Sequence, residues 1–105
     1  MIPEVTVVEL KEMVDNGDEF QIIDVREPFE FEMVNIGAQL IPMGTIPDNI
    51  HEIATDKKVI IHCKSGARSA NIVQFLKTKG LNNVYNLKGG IFAWIDQIDP
   101  TLPKY

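Results

Sequence analysis

Apolar and polar positions along this chain fall into short segments that change period as they go. Glu4-Val5 reads as a brief first strand. Thr6-Val7-Val8-Glu9 has the spacing of a capping box, and opens a helix to about Asn16 with Gly17 as its stop. Phe20 to Val25 is a nearly continuous apolar run, the pattern of a strand buried on both faces. Pro28 suits the first turn of a helix that continues through Phe29, Glu30, Phe31, Glu32 and Met33. A short strand is expected over Ala38 to Ile41, ended by Pro42, and a helix of weak periodicity over about Ile46 to Ala54.

The second half repeats the alternation more clearly. Lys58-Val59-Ile60-Ile61-His62 is a β-branched strand, followed by a loop of mostly small residues, Cys63 to Ala67. Arg68 to Lys79 then predicts a helix with Ile72, Val73 and Leu76 on one face, and Gly80 as its stop. Val84 to Leu87 is another short strand, Gly89-Gly90 a turn, and Ile91 to Ile98 a last helix containing Trp94. Strands alternating with helices predict an α/β fold, a parallel sheet with helices on both faces and right-handed crossovers. A length of 105 residues fits one domain over 1–105. No apolar run approaches the roughly 20 residues of a membrane span. No basic and apolar leader opens the chain, so a cytoplasmic protein away from membranes is expected.

Charge sharpens the picture. The net charge of −5 argues against a nucleic-acid partner. Residues 1–56 hold 13 acids and 2 bases, whereas residues 57–105 hold 2 acids and 8 bases. Two readings follow: in one compact domain the halves interleave and the asymmetry averages out in space, or the site lies in the basic half and handles an anion. The single cysteine, Cys63, excludes an intramolecular disulfide and a multi-cysteine metal site. No zinc, nucleotide or flavin motif is present, and no cofactor is expected.

Cys63 stands after a buried strand and before a helix, where ligands of open α/β sheets bind. Gly66, with the small Ser65 and Ala67, lets the backbone curl until successive N–H groups face inward and make an anion nest, aided by the positive start of the helix. A free thiol titrates near about pH 8.5, and such a position lowers it to about 3.5–7.5. An accessible thiol, mostly thiolate at neutral pH, is therefore expected at Cys63. Arg68 sits in a helix's first turn, where the dipole disfavours a cation, so it needs a reason to be there; closing the loop and gripping an anionic leaving group would supply one. Lys64 can attract an anionic donor or simply be solvated. Ser65 and Ser69 can donate to sulfur or cap the helix. His62 points away from Cys63 by strand alternation and reads as a packing residue.

The run His62-Cys63-Lys64-Ser65-Gly66-Ala67-Arg68-Ser69 resembles the active-site loop of the rhodanese family. Ile23-Asp24-Val25-Arg26-Glu27-Pro28-Phe29-Glu30-Phe31 is similar to that family's first signature, and Leu87-Lys88-Gly89-Gly90-Ile91-Phe92-Ala93-Trp94 to its carboxy-terminal one. The resemblance covers nearly the whole chain. It implies a rhodanese-like fold with a sheet of about five parallel strands, Cys63 as a persulfide-forming nucleophile, and a cradle made by the backbone of Lys64 to Ser69. It also implies that Asp24 and Arg26 brace the loop.

The implied activity is sulfur transfer from a small anionic donor, thiosulfate or a persulfide, to a thiol, cyanide or a sulfur-carrier protein. Asn35-Ile36-Gly37-Ala38, Leu40-Ile41-Pro42 and the ending Trp94 to Tyr105 are similar to rhodanese domains fused to ubiquitin-activating-like adenylyltransferases, although Asn35 stands where many relatives carry His. Two other readings stay open. Cysteine phosphatases and arsenate reductases also set Cys and Arg around an anion, but with five intervening residues against four here. A noncatalytic interaction module is the other, disfavoured by the retained Cys.

Overall fold

Strands of two to five residues, too short to stand alone, gain stability by lying side by side under helices. The computed structural model, which describes residues 2–105, arranges them so. In chain order the elements are β1 (Glu4–Val5), α1 (Val7–Asp15), β2 (Phe20–Asp24), α2 (Pro28–Met33), β3 (Gln39–Leu40), β4 (Lys58–His62), α3 (Ala67–Thr78), β5 (Val84–Leu87) and α4 (Gly90–Gln97). The sheet has five parallel strands in the order β1-β5-β4-β2-β3. Its middle is the long register of β2 on β4, from Phe20 opposite Lys58 to Asp24 opposite His62.

Side chains of β4 alternate between the two faces. Val59 and Ile61 join Ile23, Val25 and the apolar stripe of α3, Ile72, Val73 and Leu76, in one cluster. Ile60 joins Val5, Leu87 and Leu10 of α1 in the other, against which Ala93 and Trp94 of α4 pack. Helices thus cover both faces, as the alternating pattern predicts. No helix among the described residues is long and apolar enough to cross a membrane.

The capping box at the start of α1 is present: Glu9 N–H donates to Thr6 Oγ1 at 3.1 Å, and Thr6 N–H to Glu9 Oε1 at 2.9 Å. Two elements differ from the sequence reading. The helix expected over Ile46 to Ala54 is instead a pair of 3-10 turns, Met43–Asp48 and Ile50–Glu52. Pro47 lies inside the first and has no N–H for an α-helical ladder through Met43–Asp48, so that segment takes tighter local turns, although at the start of the expected helix the same proline would have broken no bond. The strand expected over Ala38 to Ile41 pairs only at Gln39–Leu40.

Candidate functional site

Register brings β2, β4 and β5 to a common carboxyl edge, and Cys63 is the first residue past β4 there. Gly66 turns the loop at φ 107°, a left-handed conformation that L side chains resist, and serves as the N-cap of α3. The turn aims amides at the sulfur. Gly66 N–H donates to Cys63 Sγ at 3.1 Å, Ser69 N–H at 3.4 Å and the Ser69 hydroxyl at 3.3 Å. Burial alone would push the Cys63 thiol up; the Ser69 hydroxyl and the backbone of Ser69, Gly66 and Ser65 outweigh it and hold the thiol below its ordinary value. Two surface hollows, one along Thr55 and residues 79–83 and the other between Thr6, Lys88 and Gln97, are not lined by Cys63.

The loop is pinned from beneath by α4. Ile91 N–H donates to the Cys63 carbonyl at 2.9 Å, and Phe92 N–H to that of Lys64 at 3.1 Å. From β5, Asn86 Oδ1 lies 2.5 Å from Ser69 Oγ and competes with Cys63 Sγ for its one hydroxyl proton, and Asn86 donates through Nδ2 to the Gly66 carbonyl at 3.3 Å. Cys63 is 1% exposed. The sequence reading expected an accessible thiol; the structure instead seats it below the surface.

Lys64 extends over two rings, with Nζ 5.1 Å from the centroid of Phe92 and 5.0 Å from that of Tyr105. Arg68 does not grip an open anion space. Its NH1 and NH2 donate to Glu30 Oε1 and Oε2 at 2.8 and 3.0 Å, a two-pronged pair with the carboxylate of α2. That carboxylate answers the question of a cation in a helix's first turn. Arg68, with a further contribution from the Tyr105 hydroxyl, holds Glu30 well below the usual carboxylate range, at about 2.

Asp24 and Arg26 form a fully buried pair, Arg26 NH2 donating to Asp24 Oδ2 at 2.7 Å. Arg26 also donates to the Val34 carbonyl at 2.7 Å and to Tyr105 Oη at 2.9 Å. Tyr105 in turn donates to Glu30 Oε2 at 2.6 Å. Asp24 and Arg26 thus act on the segment after α2 and on Tyr105, and lie next to the loop through Glu30 and Arg68 and through His62, whose Nε2 is 3.7 Å from Asp24.

His62 is buried opposite Asp24, with Nδ1 3.2 Å from the Cys63 carbonyl and Nε2 without a hydrogen-bond partner among the described residues. Burial keeps it neutral, pushing its pKa down. It takes no part in the cradle, as strand alternation indicated.

Glu30, Asn86 and Tyr105 are the site neighbours that sequence reasoning missed. Asn86 carried a signal, being a polar residue inside the apolar strand β5. Ser69→Ala tests the cradle: it removes one donor to sulfur, and the alkylation rate of the thiol, followed against pH, is expected to shift its midpoint upward by about one unit. An unmoved midpoint would show that the hydroxyl does not reach the sulfur.

The family model "Rhodanese-like domain" matches residues 6–97. Among curated proteins, the chain is 36% identical over 104 residues to "Probable adenylyltransferase/sulfurtransferase MoeZ" of Mycobacterium tuberculosis, covering 96% of this chain but only 26% of that protein. It is 36% identical over 95 residues to a "Sulfurtransferase" of Allochromatium vinosum, covering 90% of this chain and 89% of that one. Among solved structures, a rhodanese-like domain protein from Staphylococcus aureus superposes with a TM-score of 0.83 at 38% identity, over 89% of this chain and 91% of that one.

Proposed function

The chain belongs to the rhodanese-like domain family, and from that premise we propose that it is a sulfurtransferase carrying sulfane sulfur as a persulfide on Cys63. The donor is thiosulfate or a persulfide, and the acceptor a thiol, cyanide or a sulfur-carrier protein. One observation supports this above the rest: three hydrogen-bond donors converge on the sole thiol, at the carboxyl end of the sheet, from Gly66 and Ser69. Donors in such a ring favour the charged sulfur that chemistry requires, since the thiolate is the nucleophile.

The cycle has two displacements. The Cys63 thiolate attacks the outer sulfur of the donor; a sulfur–sulfur bond forms to Sγ, the donor's own bond breaks, and sulfite or a thiolate leaves with the electron pair. An acceptor nucleophile then takes the outer sulfur and returns Cys63 to thiolate. Ala67 and Arg68 stand in the first turn of α3, where amides have no carbonyl within the helix; these remain for the outer sulfur while Gly66 and Ser69 hold Sγ. Ser65 adds to the nest through its backbone, and Lys64 lends positive charge at the approach.

Intact-mass measurement after incubation with thiosulfate or, separately, glutathione persulfide tests the reading. The expected result is a gain of one sulfur atom, removed by cyanide or dithiothreitol and absent in Cys63→Ser. No gain with either donor, or the same gain in Cys63→Ser, would overturn it.

A further inference from the structure

Transfer from thiosulfate asks a protein to accommodate a dianion and release sulfite, another dianion. A persulfide brings at most one charge at its reacting end and releases a thiolate. The cations around Cys63 decide how well each is served, and most are already matched to acids. Arg26 lies against Asp24 at 2.7 Å, with both side chains fully buried. Lys104 is paired with Asp96. Arg68, the guanidinium attached to the loop itself, has both forward nitrogens on Glu30, whose side chain is 6% exposed.

A planar fork filled by one carboxylate has no second two-pronged face to offer a sulfonate group in the same direction. Glu30 is a strong competitor for it: four donors hold the carboxylate ionised, two from Arg68, the Tyr105 hydroxyl and the Glu27 N–H. Lys64 remains near the loop, seated over the rings of Phe92 and Tyr105. The approach to the sulfur therefore offers a dianion little uncompensated charge.

Resting on the sulfurtransferase reading above, we infer that Glu30 sets the donor class of this site: by occupying Arg68 it disfavours thiosulfate and leaves Cys63 to be loaded from organic persulfides. In that step the Cys63 thiolate attacks the outer sulfur of R–S–SH, the new bond forms to Sγ, and the S–S bond between the outer sulfur and the R-bearing sulfur breaks. R–S⁻ leaves with the electron pair and Cys63–S–SH remains, so no outside oxidant or reductant is needed. Glu30 is a specificity-determining residue here and touches no reacting atom; it acts through Arg68.

Single-turnover loading of Cys63, read by intact mass with thiosulfate and with glutathione persulfide, tests the inference. The wild type is expected to load faster from the persulfide. Glu30→Gln keeps the side chain's shape while releasing the guanidinium's charge, and is expected to raise the thiosulfate-to-persulfide rate ratio at least about tenfold, the scale of one charge-assisted contact. Glu30→Asp, which keeps the carboxylate, is expected to retain the wild-type ratio more closely. The double variant Glu30→Gln/Arg68→Met is expected to lose the gain, since the gain runs through Arg68. A wild type that favours thiosulfate, a ratio unmoved in Glu30→Gln, or a gain that survives loss of Arg68 would each overturn the inference while leaving the persulfide chemistry standing. Failure of both donors to load Cys63 would instead overturn the sulfurtransferase reading.

Discussion

Arg26→Met is expected to destabilise the protein by roughly 3–5 kcal/mol, a large part of the ~5–15 kcal/mol that holds a fold of this size together. The reason is what the substitution leaves behind. Asp24 is fully buried at the end of β2 and receives Nε, NH2 and the backbone N–H of Arg26. Without the guanidinium, its carboxylate stays in a low-dielectric interior with the neutral His62 ring as nearest alternative, 3.7 Å away. The same substitution strips a donor from the Val34 carbonyl and from Tyr105.

Urea unfolding measures the cost as a lower midpoint at unchanged slope. The double variant Asp24→Leu/Arg26→Met removes both charges and is expected to recover much of the loss, because the penalty belongs to the unpaired carboxylate more than to the missing bonds. A single variant costing under about 1 kcal/mol would mean that water reaches the pair.

Much of this architecture was legible because the local patterns agree with one another. The β-branched run of β4, the glycine-containing loop and the one-sided stripe of α3 specify a strand–loop–helix unit before any tertiary contact is considered. The capping box of Thr6 and Glu9 marks the start of α1 by hydrogen bonds that span only three residues. Legibility failed where the outcome depended on a competition. Residues 43–52 contain enough apolar positions for a helix, yet Pro47 denies the ladder an N–H and the burial of Ile46 and Ile53 is met by 3-10 turns instead.

The site was legible to the depth of the loop and no further. Cys63, Gly66 and Ser69 adjoin in sequence, so the cradle follows from local geometry. Glu30 lies 38 residues before Arg68, and Tyr105 lies 79 residues after Arg26. Arg68 in a first helical turn reads as gripping an anionic leaving group; the chain offers Glu27, Glu30 and Glu32 within one short helix region, and only the direction of α2 brings Glu30 to it instead. One reading of the charge asymmetry between the halves is a basic site for an anion. In space the acidic half folds back and sets Glu30 on Arg68, the one arginine beside the loop, so a tally along the chain overstated the positive field at the sulfur.

Gly90→Ala is expected to damage stability and chemistry together, because the loop and α4 share one contact. Gly90 adopts φ 60°, and a Cβ there would lie 2.6 Å from the carbonyl oxygens of both Cys63 and Lys64. Those two carbonyls accept from Ile91 and Phe92, so they cannot retreat without breaking the bonds that seat the loop on α4. The left-handed backbone alone costs an alanine about 1–2 kcal/mol; with the collision, a loss of roughly 2–4 kcal/mol is expected.

Moving the Cys63 and Lys64 carbonyls also rotates the peptide planes that lead into Ser65 and Gly66, whose backbone holds the sulfur. The thiol midpoint in Gly90→Ala should therefore rise toward that of free cysteine, and persulfide loading at neutral pH should slow by an order of magnitude or more, about one pKa unit of lost thiolate and misplaced donors combined. Gly80→Ala is the control. Gly80 has a comparable φ of 90°, but a Cβ there meets nothing within 4 Å. It should therefore lose only the backbone cost and keep its thiol midpoint. If the two alanine variants behaved alike in alkylation against pH, close packing of α4 beneath the loop would have no part in holding the thiolate.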